Sequence, residues 1–160
     1  MKKLLLVIVL MSIISVSNAI PVGLEASAGY ALAENANHFF LNGSALIKVA
    51  NNFYVRTELA RLSFHSDNTK IFLGTMSPVD IMMFFPSQTF NPYGLAGINL
   101  STGGGLTSFY LRAGAGIEFK LNEARFFPFV EADLGLASVS AGGISTTDNV
   151  ITLKGGIRIR

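Results

Sequence analysis

The chain has no cysteine and no tryptophan, and only 14% of its 160 residues are charged. The lack of cysteine excludes the disulfide scaffolds that stabilise many small exported domains. Soluble domains average about 25% charged residues, so the low charge is unusual for a surface that faces water. Glycine and phenylalanine, in contrast, are frequent, with 16 and 13 residues. The composition therefore favours one domain of about 140 residues whose surface is not an ordinary water-exposed one.

Residues 1–19 have the three-part layout of a secretory signal peptide. The basic pair Lys2-Lys3 precedes an apolar stretch over residues 4–16, and small residues follow at the expected cleavage position. A helix that stays in the membrane needs roughly 17–25 apolar residues, so this stretch is too short for an anchor. We therefore expect cleavage and a single mature domain over residues 20–160.

The charges that remain after cleavage are balanced. The twelve lysines and arginines include Lys2 and Lys3, so ten basic residues stand against ten acidic ones. A nucleic-acid-binding protein carries a clustered basic face, which this sequence lacks, so we expect no nucleic-acid partner. His, Asp and Glu are not spaced as metal ligands are, and no phosphate-binding motif follows the glycine runs. We therefore expect no metal and no cofactor.

Residues 109–119 show the pattern that predicts the fold. Their odd positions are all apolar and their even positions are polar or glycine, which is the period of a β-strand with two unlike faces. The same alternation recurs along the chain, and no segment after residue 19 has helical periodicity. The pattern predicts eight strands, at 21–33, 43–50, 53–65, 78–86, 93–101, 108–119, 127–139 and 150–160.

The predicted connections between these strands fall into two alternating classes. Short connections at 51–52, 87–92 and 120–126 alternate with longer ones, rich in glycine and small polar residues, at 34–42, 66–77, 102–107 and 140–149. In an up-and-down meander, all short turns then lie at one end and all longer loops at the other. Strands of about 9–11 residues with this asymmetry are typical of outer-membrane barrels. We therefore predict an all-β, eight-stranded antiparallel up-and-down transmembrane β-barrel whose longer loops face outside.

Alternation alone does not say which face meets water. A secreted soluble barrel that binds a small apolar ligand has the same period, with its apolar residues inside. The low charge favours the membrane barrel, and so do the positions of glycines and aromatic residues. Glycines that suit a crowded lumen share the charged face: Gly23, Gly29, Gly114, Gly116, Gly135 and Gly156. Aromatic residues that would form the interfacial girdles lie near strand ends: Phe39, Phe40, Phe53, Tyr54, Phe64, Phe84, Phe85, Tyr93, Phe109, Phe119, Phe126 and Phe127.

The face that carries the charges is predicted to line the lumen. The alternation assigns six acidic residues to it: Glu25, Glu58, Asp80, Glu118, Glu131 and Asp133. It also assigns six basic residues: Lys48, Arg56, Arg61, Arg112, Lys154 and Arg158. Arg56 and Arg61 both face inward only if a β-bulge near Leu59-Ala60 changes the phase of the third strand.

An eight-stranded barrel is just wide enough for side chains to fill it. Opposite charges inside it should therefore pair, since a buried charge without its partner is strongly destabilising. We expect this network of lumen charges to close the barrel, which makes it a plug rather than a pore. An ion or proton path through the lumen is the alternative function of these residues.

His65-Ser66-Asp67 has the residue types of a hydrolytic triad. Adjacent residues point in different directions, however, and triads are assembled from distant positions, so we predict no catalytic residues. An outer-membrane enzyme that modifies lipid, with His65 and Asp67 at the rim, is the alternative. The pair Gly142-Gly143 is predicted to be a hairpin tip.

Three segments, PYGLAG at 92–97, RAGAGIEF at 112–119 and PFVE at 128–131, resemble the small outer-membrane β-barrel proteins of the OmpX type and the membrane domain of OmpA. The chain departs from them at Arg160, where such barrels usually end on an aromatic residue. The resemblance implies a monomeric barrel in the bacterial outer membrane, in contact with its lipid and inserted by the barrel assembly machinery. We therefore expect a non-enzymatic protein that contributes to envelope structure or surface interaction.

Overall fold

The computed structural model describes residues 22–34, 37–66, 69–73, 79–103, 106–121 and 125–160. The predicted signal peptide lies outside these residues. The described ranges contain nine β-strands: β1 (Val22–Ala33), β2 (His38–Lys48), β3 (Phe53–Phe64), β4 (Thr69–Leu73), β5 (Val79–Phe84), β6 (Phe90–Gly103), β7 (Leu106–Phe119), β8 (Phe126–Ala141) and β9 (Ile144–Ile159). Within the described part of the chain, no helix is long and apolar enough to cross a membrane.

The sheet closes on itself. Neighbouring strands pair antiparallel in the order β1-β2-β3-β5-β6-β7-β8-β9, and β9 pairs back with β1. β4 and β5 lie one after the other along β3, because β4 pairs with residues 60–64 and β5 with residues 53–57. They occupy a single position in the ring, so the nine segments form an eight-stranded barrel. The predicted fold class is confirmed.

Burial alternates along the strands in the sense of a membrane barrel. In β7, Arg112 is 7% exposed and Glu118 is fully buried, whereas Leu111 is 44% and Phe119 is 43% exposed. An apolar exterior and a charged interior invert the arrangement of a soluble protein, in which burial of apolar side chains stabilises the fold. The soluble barrel with an apolar ligand cavity is therefore not the structure that this chain adopts.

The phase of β3 changes where the sequence required a bulge. β3 carries one extra residue, Leu59, opposite the step from Gly43 to Ser44 in β2. The side chain of Leu59 is 45% exposed on the outer face. Because one extra residue shifts the alternation, Arg56 before it and Arg61 after it both face the lumen. The predicted bulge is confirmed.

The prediction of four long loops is wrong, because strands occupy much of each predicted loop. The ranges 34–42, 66–77, 102–107 and 140–149 contain the start of β2, all of β4 and the ends of β6, β7, β8 and β9. The ladders of the last two hairpins continue to the pairs Gly103–Leu106 and Ala141–Ile144. Serine, threonine and glycine end the apolar alternation there, whereas the backbone pairing, which needs no apolar side chain, continues.

Gly142 and Gly143 form the predicted tip of the β8–β9 hairpin. Their φ angles are 55° and 85°, and positive φ at both central residues is the requirement of the type I′ turn that suits the twist of paired strands. Glycine adopts this conformation without steric cost. We call the end of the barrel with this turn, at which β1 and β3 end and β2 begins, the loop end, and the opposite end the turn end.

Several aromatic residues predicted at the membrane interfaces lie on the inner face of the barrel instead. Phe40, Phe84 and Tyr93 are 2%, 3% and 2% exposed, Tyr54 packs against Phe84, and Phe127 lies beside the guanidinium of Arg160. Phe84 and Tyr93 form an apolar cluster with three other residues, including Leu46, at the turn end of the lumen. A position near a strand end did not distinguish rings at the membrane interface from rings inside the lumen, because the alternation along the strand decides which face a ring occupies.

The lumen glycines make room for these inner rings. A side-chain carbon at Gly116 would collide with the ring of Tyr93, and one at Gly135 would collide with the ring of Tyr110. An eight-stranded barrel has little volume beyond what its side chains fill, so a large ring needs a residue without a side chain on the neighbouring strand. The predicted placement of these glycines on the charged face is confirmed.

Replacing Gly116 with alanine should destabilise the barrel by about 1–3 kcal/mol through overpacking. The added carbon would collide with Tyr93 and lie 2.6 Å from the carbonyl oxygen of Val130. Gly155→Ala is the matched control, because its nearest neighbour would be 3.4 Å away, and it should change the free energy of unfolding by less than about 0.5 kcal/mol. Urea unfolding in lipid vesicles, followed by circular dichroism, measures both. Equal effects would contradict the packing described for Gly116.

Candidate functional site

The inner face of the barrel brings the predicted charges together from strands that are far apart in sequence. Ten of the twelve predicted residues are buried: Glu25, Arg56, Glu58, Asp80, Arg112, Glu118, Glu131, Asp133, Lys154 and Arg158. Arg61 and Lys48 are partly buried, the first toward the loop end and the second at the turn end. Closure of the ring turns the alternate residues of every strand toward one axis.

Glu131 on β8 lies at the centre of the network. Arg56 donates two parallel hydrogen bonds to its carboxylate, from Nη1 and Nη2, each 2.8 Å long. The Nζ of Lys154 lies 3.1 Å from Glu131 and 3.2 Å from Glu25. Arg158 donates from Nε to Glu25 at 2.8 Å and lies 3.3 Å from Glu131. Two carboxylates thus hold three cations, with the bidentate geometry that makes such bonds strong.

Asp80 on β5 connects this centre to Arg112 on β7. Its carboxylate accepts a hydrogen bond from Nε of Arg56 at 2.7 Å and two from Arg112, at 2.8 and 2.6 Å. Gly97 leaves the space that the Asp80 carboxylate occupies, since a side-chain carbon there would collide with Oδ1. Arg112 also lies 3.8 Å from Asp133, beyond hydrogen-bond distance.

Tyr93 is part of the network, although the sequence pattern predicted it at a membrane interface. Its hydroxyl donates to Glu131 at 2.8 Å and accepts a bond from Nη2 of Arg158, also at 2.8 Å. The guanidinium carbon of Arg158 lies 3.9 Å from the centre of the Phe129 ring and 4.4 Å from that of Tyr93. Aromatic faces stabilise a buried guanidinium in this position. The ionic centre therefore continues directly into the apolar cluster at the turn end.

Two more residues belong to the network and were not predicted. Arg160 forms an ion pair with Glu118, and Asn91 donates to the same carboxylate at 3.0 Å. Arg160 shares the alternation of Arg158, so a signal for it was present in the sequence. β6 carries no charged residue, so nothing in its sequence fixed the face on which Asn91 lies.

Lys48 is the predicted residue that the structure does not bring into the network. It ends β2 at the turn end on the lumen side, and among the described residues no carboxylate lies within 4.0 Å of it. The strand end gives its ammonium group a route to solvent, as long basic side chains often have. The alternation thus placed the residue on the correct face without defining its depth.

The central network can hold charges in place and block the lumen. An unpaired charge in this interior would carry a desolvation penalty of several kcal/mol, so each member depends on its partners. Within the described ranges, no group of three or more His, Cys, Asp or Glu side chains could hold a metal ion.

A cavity of about 320 Å³ opens above the network at the loop end. We call it the cup. Arg112 and Lys154 lie on its floor, and Phe40, Arg61 and Tyr110 lie on its walls. The cup combines charged, polar and aromatic side chains of the inner face at the loop end of the barrel.

The two histidines lie together at the rim of the cup. The rings of His38 and His65 are stacked, with centroids 4.6 Å apart, and Nη2 of Arg61 lies 3.4 Å from Nε2 of His38. Arginine has no acceptor, so this contact requires that His38 Nε2 accept the bond. Asp67, the other rim residue of the alternative enzyme, lies outside the described residues.

Solved structures share this fold. The crystal structure of Neisserial surface protein A is 18% identical, with a TM-score of 0.53, over 86% of this chain and 94% of that chain. The N-terminal β-barrel domain of Pseudomonas aeruginosa OprF is 14% identical, with a TM-score of 0.51, over 86% of this chain and 97% of that chain. No family model and no curated protein matches the chain. The predicted resemblance to small outer-membrane barrels is confirmed for the fold.

Replacing Glu131 with glutamine should destabilise the barrel by about 3–5 kcal/mol, because it leaves three buried cations with too few carboxylates. The comparison is Lys48→Gln, which removes a charge from the same face without breaking an ion pair and should cost less than about 0.5 kcal/mol. Urea unfolding in lipid vesicles measures both free energies.

The double variant Glu131→Gln/Lys154→Met restores the charge balance. It should regain part of the loss, with an interaction energy of about 0.5–3 kcal/mol. A double variant whose loss equals the sum of the two single losses would contradict the coupling described for Glu131 and Lys154.

Proposed function

We propose that the protein is a monomeric, non-enzymatic resident of the bacterial outer membrane that contributes to envelope structure or surface interaction, with its lumen closed by charged side-chain pairs. The observation that carries this proposal is the combination of an apolar exterior with a buried ionic centre in which Glu131, Glu25 and Asp80 bind the neighbouring cations. The first suits a lipid environment and the second blocks passage through the barrel.

The exterior supports residence in lipid. Large apolar side chains are exposed on every strand, among them Leu24 at 53%, Ile81 at 58% and Leu134 at 66%. A soluble monomer rarely exposes a continuous apolar patch of more than a few hundred Å², so a belt around the barrel indicates contact with lipid tails. Strands of 12 residues, such as β1 and β3, exceed the roughly 9–11 residues that cross a membrane.

The loop end supports a role at the surface. β5 pairs with β6 as far as Ile98, and β1 pairs with β9 as far as Val150. Beyond these residues β6, β7, β8 and β9 continue together as a hairpin pair rich in serine and threonine, with the Oγ atoms of Ser140 and Ser145 3.1 Å apart. In the proposed topology this four-stranded extension stands outside the membrane, where it is available to partners.

The proposed location implies a route of biogenesis. The signal peptide would direct export, and the barrel assembly machinery would insert the chain. In lipid the backbone N–H and C=O groups are all hydrogen-bonded only once β9 pairs with β1 and closes the barrel. Outer-membrane lipid is then the partner of the whole exterior.

The unboiled protein, extracted from an outer-membrane fraction, should migrate faster on an SDS gel than the boiled protein. Closed ladders protect the backbone, and unfolding is then slow enough for the compact barrel to survive SDS at room temperature. A boiled aliquot of the same preparation is the control. A detergent-free soluble protein without a mobility shift would contradict both the location and the closed barrel.

The purified barrel should show no porin-like conductance steps in planar bilayers, because the ion pairs around Glu131 fill the centre of the lumen. A general porin reconstituted in the same lipid shows that the assay detects an open pore. Regular conductance steps from the folded protein alone would support the ion path and overturn the closed lumen.

A further inference from the structure

The cations at the cup differ in how far carboxylates neutralise them. On the floor, Arg112 is held by Asp80 through two hydrogen bonds, at 2.8 and 2.6 Å. Lys154 lies 3.1 and 3.2 Å from the carboxylates of Glu131 and Glu25. These two residues already have strong partners, so they contribute little attraction for a further anion.

Arg61 on the wall is less compensated. Its nearest carboxylate among the described residues is Glu58, at 4.0 Å, beyond hydrogen-bond distance. Asn42 donates to that same carboxylate at 2.8 Å. The Nε of Arg61 is buried and has no hydrogen-bond partner within the described structure. A buried guanidinium donor without an acceptor is destabilising, and an oxyanion placed in the cup would relieve this cost.

The surroundings of Arg61 hold its guanidinium in one place. It stacks on the ring of Phe40, with its central carbon 4.1 Å from the ring centre, and its Nη2 contacts His38. A planar guanidinium that is fixed in this way presents the paired donors that match a carboxylate or phosphate. The site is therefore organised before any ligand arrives.

Lys70 adds a second cation on the same side. It pairs in the ladder with Ser63, whose side chain faces the lumen, and it lines the cup. No carboxylate among the described residues forms an ion pair with it. Tyr110 and Val150 line the cup together with the polar side chains of Asn99 and Thr152. Arg61 and Lys70 thus bring two cations to the cavity beside the single carboxylate of Glu58, and Phe40 and Tyr110 give it aromatic surface.

We propose that the cup binds a small organic anion, whose carboxylate or phosphate lies at Arg61 and Lys70 and whose apolar part packs against Phe40 and Tyr110. The volume of about 320 Å³ is at the small end of the range for ligand pockets. The paired network below the cup closes its floor, so a ligand would enter and leave by the loop end. This site goes beyond the proposed function and does not depend on the direction of the barrel in the membrane.

Titration calorimetry of the folded barrel in detergent tests this site with three probes: phenyl phosphate, benzoate and inorganic phosphate. We expect phenyl phosphate or benzoate to bind, and inorganic phosphate to bind more weakly because it lacks the apolar part. The stronger of the two aromatic probes identifies the preferred oxyanion. Absence of binding by both aromatic probes would overturn the proposal, and inorganic phosphate that binds as tightly as phenyl phosphate would overturn the apolar half of it.

Three variants locate the binding. Arg61→Gln should weaken the aromatic anion about tenfold or more, because it removes a charged hydrogen-bond donor. Lys70→Gln should weaken it by up to about fivefold, since its ammonium group is more exposed. Lys120→Gln at the turn end is the matched control and should leave the affinity unchanged.

The heat-dependent mobility shift shows which variants are folded. If Arg61→Gln does not fold, the exposed Lys70 still gives a variant that tests the site. Affinity that is unchanged in the folded cup variants, or reduced equally by Lys120→Gln, would place any binding elsewhere and overturn the site.

Discussion

The barrel depends on one carboxylate that three cations share. Arg56 comes from β3, and Lys154 and Arg158 come from β9, yet each lies within 3.3 Å of Glu131 on β8. β3 is not a neighbour of β8 or β9, so these contacts exist only in the closed ring. A slip of one residue in any ladder would turn the alternate face inward and carry charges to the apolar exterior. Register and closure are therefore stabilised by the same ion pairs.

The ion pairs depend in turn on how volume is distributed along the inner face. Tyr93 belongs to both systems, because its hydroxyl bonds to Glu131 while its ring occupies the space beside Gly116. A larger residue at that glycine would shift the ring and, with it, a hydrogen bond at the centre of the network. Packing and charge are coupled here through a single side chain, as is common in polar networks of low local dielectric.

The sequence was enough to predict which face of each charged strand lines the lumen, but not where the strands end. Charge on alternate residues fixed the lumen side, and the need to keep Arg56 and Arg61 on it located the bulge at Leu59. The strands of the loop end continue through serine, threonine and glycine, where side chains carry no signal and only the backbone pairs. For the same reason Asn91 was missed on the uncharged β6. The alternation also does not tell how far along the barrel axis a side chain lies. For this reason it assigned Lys48 to the lumen face without showing that no ion-pair partner lies near it among the described residues.

The distance between cations and their carboxylate partners changes along the barrel axis. Close pairs at the centre stabilise the fold, whereas looser pairs toward the loop end leave cations that a ligand can bind. The turn end combines an apolar and aromatic cluster with the ion pair of Glu118 and Arg160. At the centre of the lumen, Glu131, Glu25 and Asp80 neutralise the cations within hydrogen-bond distance. Toward the loop end the distance between opposite charges grows to 3.8 Å at Asp133 and 4.0 Å at Glu58. The cations of this centre already have carboxylate partners, so they gain little from a ligand. The weakly paired rim gains most from one, because a group whose donors have few acceptors is stabilised most by a new acceptor. The ion pairs below the cup therefore form the floor of a pocket, as the proposed closed lumen requires.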